Sequence, residues 1–559
     1  MMLPFFLFGQ NRYAVVITEI MADPTPLVGL PNYEWIELRN HSSDPLNLRQ
    51  WRIGDENGLS GAFPDFIIPP DSAVIICSNS AAAALLPYGQ VIAVSSFPSL
   101  DNDAELIFLR TATGMTMHAL RYEKSWYANE LKQEGGWSME MIDSNNPCSG
   151  SNNWIASNDM KGGTPGRKNS SWAVNPDQAA PKLQRSHTNG SQSIILQFDE
   201  PLDSLQAANT SHYSINAGLA ISRARPLPPL FDQVELTSTH PLDSGKVYQI
   251  TVTGLKDCRQ NMITSPQLVK TGLPAIPRRG QCIINEILFN PRSNAYDYVE
   301  LYNNSQYIFD ASALALANRN NNGIISSIRM LSPGPFYIFP GDYIVLTENL
   351  SSLSHQYLVK NPEQVLTLSS LPSLPDDEGT VIILDNQGLV LDELHYKDDW
   401  HFKLLANDEG VALERIDPSA PTQVESNWHS AASTAGYGTP TYKNSQHRGS
   451  DGGNAVLRIS PAIFSPDNDG FDDLAFLHYE MTEPGHIANI RIYDSHGRPV
   501  RQLVQNGIMG RMGNWTWDGL DDKGQKLASG TYIILTQLFN LQGKRQQFKQ
   551  GIVLARHFH

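Results

Sequence analysis

The stretch ITEIMADP at residues 17–24 returns in altered form as INEILFNP at residues 284–291. Each stretch is followed by a second related pair, NYEWIELRN at 32–40 and AYDYVELYN at 295–303. Self-similarity over such a distance is the signature of a duplicated structural unit. The two stretches therefore set the architecture that the rest of the chain has to fit.

The correspondence continues in order to the end of each unit. GTPGRKNS at 163–170 matches GTPTYKNS at 438–445, and two tryptophans recur before each of these segments. We therefore expect two copies of one domain, at 11–172 and 280–446.

The apolar residues of each copy mostly alternate with polar ones or form short runs between Gly, Pro, Asn and Asp. This pattern predicts half-buried strands of a β-sandwich rather than helices. In YEWIEL at 33–38, Trp35 and Glu37 are expected on one face of a strand, with Ile36 and Leu38 on the other. The fold class is predicted to be all-β, with four tandem Ig-like sandwich domains.

The two copies resemble the lamin tail domain, an Ig-like β-sandwich that also occurs in many bacterial surface proteins. Three features carry the resemblance: the opening strand with Glu19 or Glu286, the strand ending WIELRN or YVELYN, and the closing Gly-Thr-Pro. The resemblance covers a little over half of the chain. It implies a bacterial surface protein.

Between the copies, residues 178–275 hold strand-sized runs such as SIILQFDEPLD at 193–203. They predict another sandwich, and they resemble the bacterial Ig-like domain first described in S-layer proteins, which implies a spacer role. Asp199, Glu200 and Asp203 are either a cation site or a polar turn.

Residues 447–454 are rich in Gly, Ser and Asn and are predicted to be a flexible linker. The C-terminal module, 455–559, contains TWDGLDDKGQ at 516–525 and SGTYI at 529–533. It resembles the Ig-like domain of flagellar hook-capping proteins and related C-terminal modules of Bacteroidetes surface proteins. The resemblance implies a type IX secretion signal and hence the secretion machinery as a partner.

The C-terminal module begins with a cluster of aspartates around Gly470, namely Asp467, Asp469, Asp472 and Asp473. Calcium takes six to eight oxygen ligands, and these carboxylates can supply several. The spacing departs from an EF-hand, and an Asx-rich turn without metal is the alternative. No cofactor is required, and calcium is the one ion that these carboxylates could hold.

The recurring Glu19, Glu37, Glu286 and Glu300 could be read as catalytic carboxylate pairs. We instead expect them to accept hydrogen bonds from loop backbone or to be solvated. Four tryptophans recur in the two copies, namely Trp126, Trp154, Trp400 and Trp428. They are either platforms on which sugars stack or buried anchors of long loops, and we expect the second.

A net charge of -16 argues against sequence-independent nucleic-acid binding, which depends on Lys and Arg. The first ten residues, MMLPFFLFGQ, are too short to span a bilayer and are interpreted as the remnant of a signal peptide, a buried first strand being the alternative. No later run reaches 18 apolar residues, so no transmembrane helix is expected.

Four cysteines in 559 residues do not form a disulfide framework. Cys77 and Cys148 lie in one predicted domain, and Cys258 and Cys282 flank a predicted boundary. An oxidising compartment would allow either pair to close, the second one clamping two modules together.

Motifs of serine hydrolases, zinc proteases, P-loop proteins and dinucleotide-binding proteins are absent from the sequence. We therefore expect a non-catalytic, exported structural or adhesive protein with a surface protein or glycan as ligand. One alternative is a component of the type IX secretion or gliding apparatus. The other is a metal-dependent surface hydrolase using the acidic loops at 101–105, 376–378 and 467–473.

Overall fold

The computed structural model describes residues 12–320, 322–403, 405, 407–448, 455–540 and 543–556. The predicted signal remnant at 1–10 and most of the predicted linker, 449–454, lie outside the described residues. The chain divides into two compact units, Met1–Asp243 with Tyr248–Gly272 and Ser244–Val247 with Leu273–His559.

The first copy is a sandwich of short strands in the first unit. A six-stranded sheet has the order β11-β10-β1-β2-β6-β7, a three-stranded sheet has the order β4-β8-β9, and β3 pairs with β5. The bounds are β1 Val15–Met21, β2 Trp35–Asn40, β3 Leu46–Asn47, β4 Arg52–Gly54, β5 Ile67–Ile68, β6 Ala73–Ser78, α1 Ala82–Leu85, β7 Val91–Val94, β8 Ala104–Arg110, β9 Thr116–Glu123, β10 Met139–Met141 and β11 Trp154–Ala156.

The segment between the copies forms two further antiparallel sheets in the first unit, of orders β12-β13-β16-β15 and β14-β17-β18. The bounds are β12 Leu183–Thr188, β13 Ser193–Phe198, α2 Ser204–Ala207, β14 Tyr213–Ile215, β15 Ile221–Pro226, β16 Gln233–Ser238, β17 Tyr248–Val252 and β18 Gln267–Thr271. Leu196, Val234 and Ile250 are fully buried between the sheets.

The second copy, in the second unit, repeats the strand order of the first. Its six-stranded sheet runs β30-β29-β19-β20-β25-β26, beside a four-stranded sheet β23-β22-β27-β28 and a pair β21-β24. The bounds are β19 Cys282–Leu288, β20 Tyr298–Asn303, β21 Phe309–Asp310, β22 Leu314–Arg319, β23 Ile325–Met330, β24 Tyr337–Ile338, β25 Tyr343–Thr347, α3 Leu350–Gln356, β26 Val365–Thr367, β27 Glu378–Asp385, β28 Val390–Lys397, β29 Leu413–Arg415 and β30 Trp428–Ser430.

The C-terminal segment packs a three-stranded sheet, β31-β33-β36, on a five-stranded sheet, β32-β38-β37-β34-β35. The bounds are β31 Val456–Ser460, β32 Ile463–Phe464, β33 Ala475–Glu480, β34 His486–Tyr493, β35 Pro499–Met509, β36 Met512–Trp517, β37 Gly530–Asn540 and β38 Arg545–Leu554. The prediction of an all-β, Ig-like fold is confirmed.

Strand β2 has the two faces that its alternation predicts. Ile36 and Leu38 lie in the core between the two sheets of the first copy, whereas Trp35 packs with Ile75 on the opposite face. The prediction of half-buried strands is wrong for β1 and β2, because both faces are covered and β1 is buried throughout. The cover on the outer face comes from α1 and from the segment that closes each copy, which the strand pattern alone does not reveal.

The disulfide pairing differs from both expected pairs. Cys148 of the first copy is bonded to Cys258 of the following segment, with 6.3 Å between their Cα atoms. Cys77 and Cys282 are free and buried. The bond joins two predicted modules within one unit, which spacing along the sequence could not indicate.

The second copy and the C-terminal segment are in direct contact within the second unit. The Gln446 side chain, fully buried, donates to the carbonyls of Ser430 and Met509 at 3.0 and 3.1 Å and accepts from the Gly485 N–H at 3.2 Å. The backbone N–H of Arg511 also donates to the neighbouring Ser445 carbonyl. These two predicted modules are therefore packed together.

Within the part of the chain that the structure describes, none of the helices has the length and apolar character needed to cross a membrane.

Candidate functional sites

Each copy holds three buried glutamates side by side on its six-stranded sheet. In the first copy Glu19 on β1 is paired in register with Glu37 on β2 and with Glu140 on β10. All three are 0% exposed. We call such a set of three a carboxylate row, and in the second copy it consists of Glu286, Glu300 and Glu414.

The closing segment of the first copy, residues 163–171, supplies donors to its carboxylate row. Thr164 donates its backbone N–H to Glu19 at 2.6 Å, and its hydroxyl lies 3.1 Å from Glu19 and 2.9 Å from Glu140. The Ser138 hydroxyl donates to Glu19 at 2.6 Å, and the Ser171 N–H donates to Glu140 at 2.7 Å. One threonine therefore bridges two carboxylates.

The second copy repeats this arrangement with different neighbours. Thr439 donates its N–H and hydroxyl to Glu286 at 2.8 and 2.7 Å, and the hydroxyl lies 2.9 Å from Glu414. The Tyr298 hydroxyl donates to Glu286 at 2.5 Å, and the Gln446 N–H donates to Glu414 at 2.8 Å. The duplication thus preserves the contacts of the row as well as its sequence.

The remaining acid of each row, Glu37 or Glu300, binds the closing segment two residues after the threonine that bridges the other two acids. Glu37 accepts from the Gly166 N–H at 2.8 Å, and Glu300 accepts from the Thr441 N–H at 2.6 Å. The expectation that the recurring glutamates bind loop backbone is therefore confirmed.

Burial disfavours the charged form of five of these acids, and repulsion by a neighbouring glutamate adds to it in several. Burial is the largest cause for Glu19, Glu37, Glu286, Glu300 and Glu414, and for Glu19, Glu300 and Glu414 the next is the charge of a neighbouring glutamate. The pKa values of Glu19 and Glu300 are raised well above the ordinary range, that of Glu37 to about 7 and that of Glu414 to about 8; that of Glu286 is also raised. Each row therefore retains protons near neutrality.

A carboxylate row has hydrogen-bond donors and no exposed surface, so a substrate has no access to it in this structure. The role of the row is structural: its carboxyl groups bind the closing segment to the sheet through hydrogen bonds. Sequence reasoning missed Glu140 and Glu414, although SMEMID at 138–143 and ALERID at 412–417 occupy corresponding places in the repeat and could have revealed them.

The recurring tryptophans are anchors, as expected. Trp126, Trp154 and Trp428 are buried, and Trp400 is partly buried against the core of the second copy. The rings of Trp126 and Trp154 lie 6.2 Å apart, within the range of aromatic contact.

The structure brings together three of the four aspartates predicted to bind calcium. Carboxylate oxygens of Asp467, Asp469 and Asp473 lie within 4.8 Å of one another, whereas Asp472 is outside this group. Asp473 accepts from three loop N–H groups, and Asp469 accepts from that of Phe471 at 2.7 Å. These bonds form an Asx-type turn, and calcium binding at this loop stays a prediction.

The acidic loops of the hydrolase alternative make local contacts. Glu105 accepts from the Asp101 N–H at 3.0 Å, and Glu378 forms an ion pair with Lys397 at 3.0 Å. These two loops occupy matching places, so the repeat accounts for their similarity.

An open groove of about 730 Å³ lies beside the closing segment of the first copy. Its lining includes three cationic side chains, of Arg39, Arg167 and Lys168, together with Asp71 and Trp172. Trp172 is 46% exposed, and the Lys168 ammonium lies 3.1 Å from the centre of its ring. Arg39 forms an ion pair with Asp71 at 3.0 Å. We call this surface the basic groove.

Residues 10–124 match the family model described as Lamin Tail Domain. The lamin tail match covers the first copy as far as the end of β9 and stops before β10 and the closing segment. The second copy lies outside this match and has the same sheet order and a corresponding carboxylate row. No curated protein matches the chain.

Several solved structures are similar to parts of the chain. The N-terminal part of the bacterial S-layer protein SbsC is 18% identical, covering 30% of this chain and 40% of that chain, with a TM-score of 0.16. PorZ, a surface component of the type-IX secretion system of Porphyromonas gingivalis, is 9% identical over 81% of this chain and 56% of that chain, with a TM-score of 0.16. A DUF4876 family protein from Bacteroides thetaiotaomicron is 12% identical over 38% and 85% of the respective chains, with a TM-score of 0.18.

This chain thus spans less than half of the SbsC fragment and about half of the PorZ chain. With TM-scores below 0.5, these likenesses support no conclusion about function.

Proposed function

We propose that this chain is an exported cell-surface protein of structural and adhesive function, built from four Ig-like modules and without catalytic activity. Two modules pair in each unit, and the lamin-tail-like copies present the surfaces that meet a partner. The basic groove of the first copy binds an anionic glycan.

The Cys148–Cys258 disulfide is the observation that carries the proposal of export. Disulfides persist in oxidising compartments and are rare where thiols are kept reduced. This one joins two modules across a sequence separation of 110 residues, as a structural clamp does. A rigid, covalently closed pair of modules suits a protein that holds its position outside the cell.

The basic groove supports the choice of an anionic glycan. Arg167 and Lys168 are exposed at the groove, where Arg167 forms an ion pair with Asp159 at 3.0 Å, and Lys168 has no acidic partner within ion-pair distance among the described residues. Trp172, which is 46% exposed, adds an aromatic ring beside the Lys168 ammonium, and sugar rings stack on such rings. At the corresponding places of the second copy stand Tyr442 and Lys443, so the two copies differ in charge.

Export is tested on protein isolated from intact cells after rapid alkylation of free thiols. Mass spectrometry without reduction should find Cys148 and Cys258 joined and Cys77 and Cys282 free. Extracellular protease should also remove the protein from the surface of intact cells. Alkylated Cys148 together with protection from the protease would remove the proposal of export.

Glycan binding is tested with the full chain on immobilised chondroitin sulfate, with neutral dextran as the reference surface. The wild type should bind chondroitin sulfate in a salt-dependent manner, because screening weakens contacts between exposed charges. An Arg167→Ala/Lys168→Ala variant should bind at least about tenfold more weakly, whereas Lys443→Ala in the second copy should bind like the wild type. Equal binding by all three proteins would show that the basic groove is not the site.

A further inference from the structure

The five-stranded sheet of the C-terminal segment, β32-β38-β37-β34-β35, has one face in the core and one face open to solvent. Ile490 and Ile534 belong to the core, so their neighbours along each strand point outward. The outward side chains include three exposed cations, Arg491, Arg545 and Lys549. The five strands contain no Asp or Glu. We call this outward side the basic sheet face.

The strand register places apolar side chains among these cations. Leu535 of β37 lies opposite Arg491 on one side and opposite Lys549 on the other. The two charges are therefore two strands, or about 10 Å, apart. Phe539 lies opposite Arg545, whose guanidinium carbon is 5.4 Å from the centre of the ring. Leu535 and Phe539 are only half-buried, so the face offers apolar surface as well as positive charge.

The acids nearest to the ends of these strands are bound by other groups. Asp494, which follows β34, forms an ion pair with Arg498 at 2.7 Å. Asp522 accepts from the Gln502 N–H of the edge strand β35 at 2.9 Å. Among the described residues, the three cations of the basic sheet face have no ion-pair partner. In a chain with a net charge of -16, this face is a place where the sign of the charge is reversed.

Negative charge stands on the loop that follows β32, the edge strand of the same sheet. Its four aspartates have no ion-pair partner among the residues that the structure describes; they are Asp467, Asp469, Asp472 and Asp473. Phe471 lies among them and is 76% exposed. Bonds from the Gly470 and Phe471 N–H groups to aspartates of the loop fix its conformation. We call residues 465–473 the acidic loop.

The acidic loop and the basic sheet face are complementary in charge and in apolar surface. Carboxylates of the loop can meet Arg491 and Lys549, and the Phe471 ring can pack on Leu535 between them. Ile463 of β32, which is 57% exposed, extends the apolar surface to the edge from which the loop projects. Aromatic and arginine side chains are enriched in protein interfaces and often supply much of the binding energy.

The loop does not occupy the basic sheet face of its own chain. Among the described residues, the hydrogen bonds of Asp467, Asp469 and Asp473 all go to N–H groups of the loop itself. One segment thus carries both halves of a contact, and neither half is used within the chain. A surface that contains two complementary halves can pair with an identical surface about a two-fold axis.

We propose that the C-terminal segment binds a second copy of this chain, with the acidic loop of each copy lying on the basic sheet face of the other. The Phe471 side chain is the apolar anchor of each contact, and Arg491 and Lys549 bind the carboxylates around it. The fixed conformation of the loop favours binding, because little freedom is lost when the contact forms. This association does not depend on the glycan proposed for the first copy.

The test is sedimentation of the full chain in the presence of chelator, so that no metal neutralises the acidic loop. The wild type should form a dimer that dissociates more readily at high salt, because salt screens contacts between exposed charges. Arg491→Glu/Lys549→Glu should weaken the dimer at least about tenfold, and Phe471→Ser should weaken it by a similar factor. The matched control, Lys523→Glu/Lys526→Glu, reverses the same number of charges at an exposed turn of the segment and should associate like the wild type.

Two results would overturn the proposal. One is a wild type that is still monomeric at about 0.1 mM, a concentration that populates even weak dimers. The other is an Arg491→Glu/Lys549→Glu variant that associates like the wild type. A monomeric wild type whose basic sheet face binds poly-glutamate would assign the face to a different acidic partner and would also end the proposal of self-association.

Mixing two variants separates direct contact from an effect on folding. Asp467→Asn/Asp469→Asn removes two charges of the loop and keeps the side-chain oxygens that accept its N–H bonds. Alone, this variant and Arg491→Glu/Lys549→Glu should each associate weakly. Their mixture should form heterodimers, because an intact loop of one then meets an intact face of the other. A mixture that associates no better than either variant alone would show that the loop does not bind the face.

Discussion

Thr164 shows how much one side chain can decide in this fold. Its hydroxyl and N–H contact Glu19, and its hydroxyl also contacts Glu140. Replacing Thr164 by Val keeps the shape of the side chain and leaves two buried carboxylates short of a donor. We expect the free energy of unfolding of the first unit to fall by about 1–3 kcal/mol, measured by denaturant titration.

The exposed Thr264 of the same unit provides the matched control, and Thr264→Val should change stability by less than about 0.5 kcal/mol. If both variants behave alike, the threonine does not hold the carboxylate row.

Glu414 gives the second copy a dependence on pH. Burial and the charge of Glu286 raise its pKa from the ordinary value of 4.5 to about 8, so the folded state holds a proton that the unfolded chain has already lost. Its stabilising contribution is complete below pH 4.5 and is lost as the pH rises through about 8. Relative to Glu414→Gln, the wild type should therefore lose stability across this window.

Denaturant titrations of wild type and variant at several pH values measure the difference. Glu425→Gln, at an exposed position, should follow the wild type at every pH. A constant difference between wild type and Glu414→Gln from pH 4.5 to 8 would contradict the raised pKa.

At the scale of elements, the closing segment is the part of each copy that the sequence pattern describes least well. Alternation placed Ile36 and Leu38 correctly, because side-chain direction in a strand follows from the backbone. It could not show that residues 163–171 cover the other face, because that contact joins residues more than 120 positions apart. For the same reason the donors of Glu19 and Glu37 are visible only in three dimensions.

The close approach of this segment depends on Gly163. A Cβ atom at Gly163 would lie 2.8 Å from both Leu30 and Ser138 and 3.0 Å from Glu19. Gly163→Ala should therefore push the segment outward and lower the free energy of unfolding by about 1–3 kcal/mol. Gly58→Ala, where a Cβ atom meets nothing within 4 Å, is the control for loss of glycine flexibility.

Both variants are compared by thermal unfolding and by hydrogen exchange of the Gly166 amide. Faster exchange at Gly166 in Gly163→Ala alone is the expected result. Equal exchange in both variants would mean that the segment does not rely on this contact.

At the scale of the whole molecule, the repeat in the sequence predicts the two matching sheets, and the alternation of apolar and polar residues predicts an all-β chain. The disulfide could not be predicted, since Cys148 and Cys258 belong to different modules and only their packing brings them together. The contact at Gln446, where the second copy meets the C-terminal segment, could not be predicted either. The composition of a segment can indicate a flexible linker, but it does not show whether the modules on either side of the linker are in contact.

Gln446 should make these two modules unfold together. Gln446→Ala removes its bonds to Ser430, Met509 and Gly485, and we expect the free energy of unfolding of the second unit to fall by about 1–3 kcal/mol. Calorimetry should show one transition for this unit in the wild type and a separated or broadened one in the variant. The exposed Gln387 is the control; a broadened transition in Gln387→Ala as well would point to a general effect of the substitution.

The position of the disulfide also determines how the chain responds to a pulling force. Tension applied at the two ends passes directly from Cys148 to Cys258, so the 110-residue loop between them carries no load while the bond is intact. Extension of the fully unfolded chain would then be shorter by roughly 370 Å than that of the reduced chain. Strands β11 to β17 lie inside this loop, so an intact bond keeps the applied force from reaching them while other parts of the molecule are pulled open.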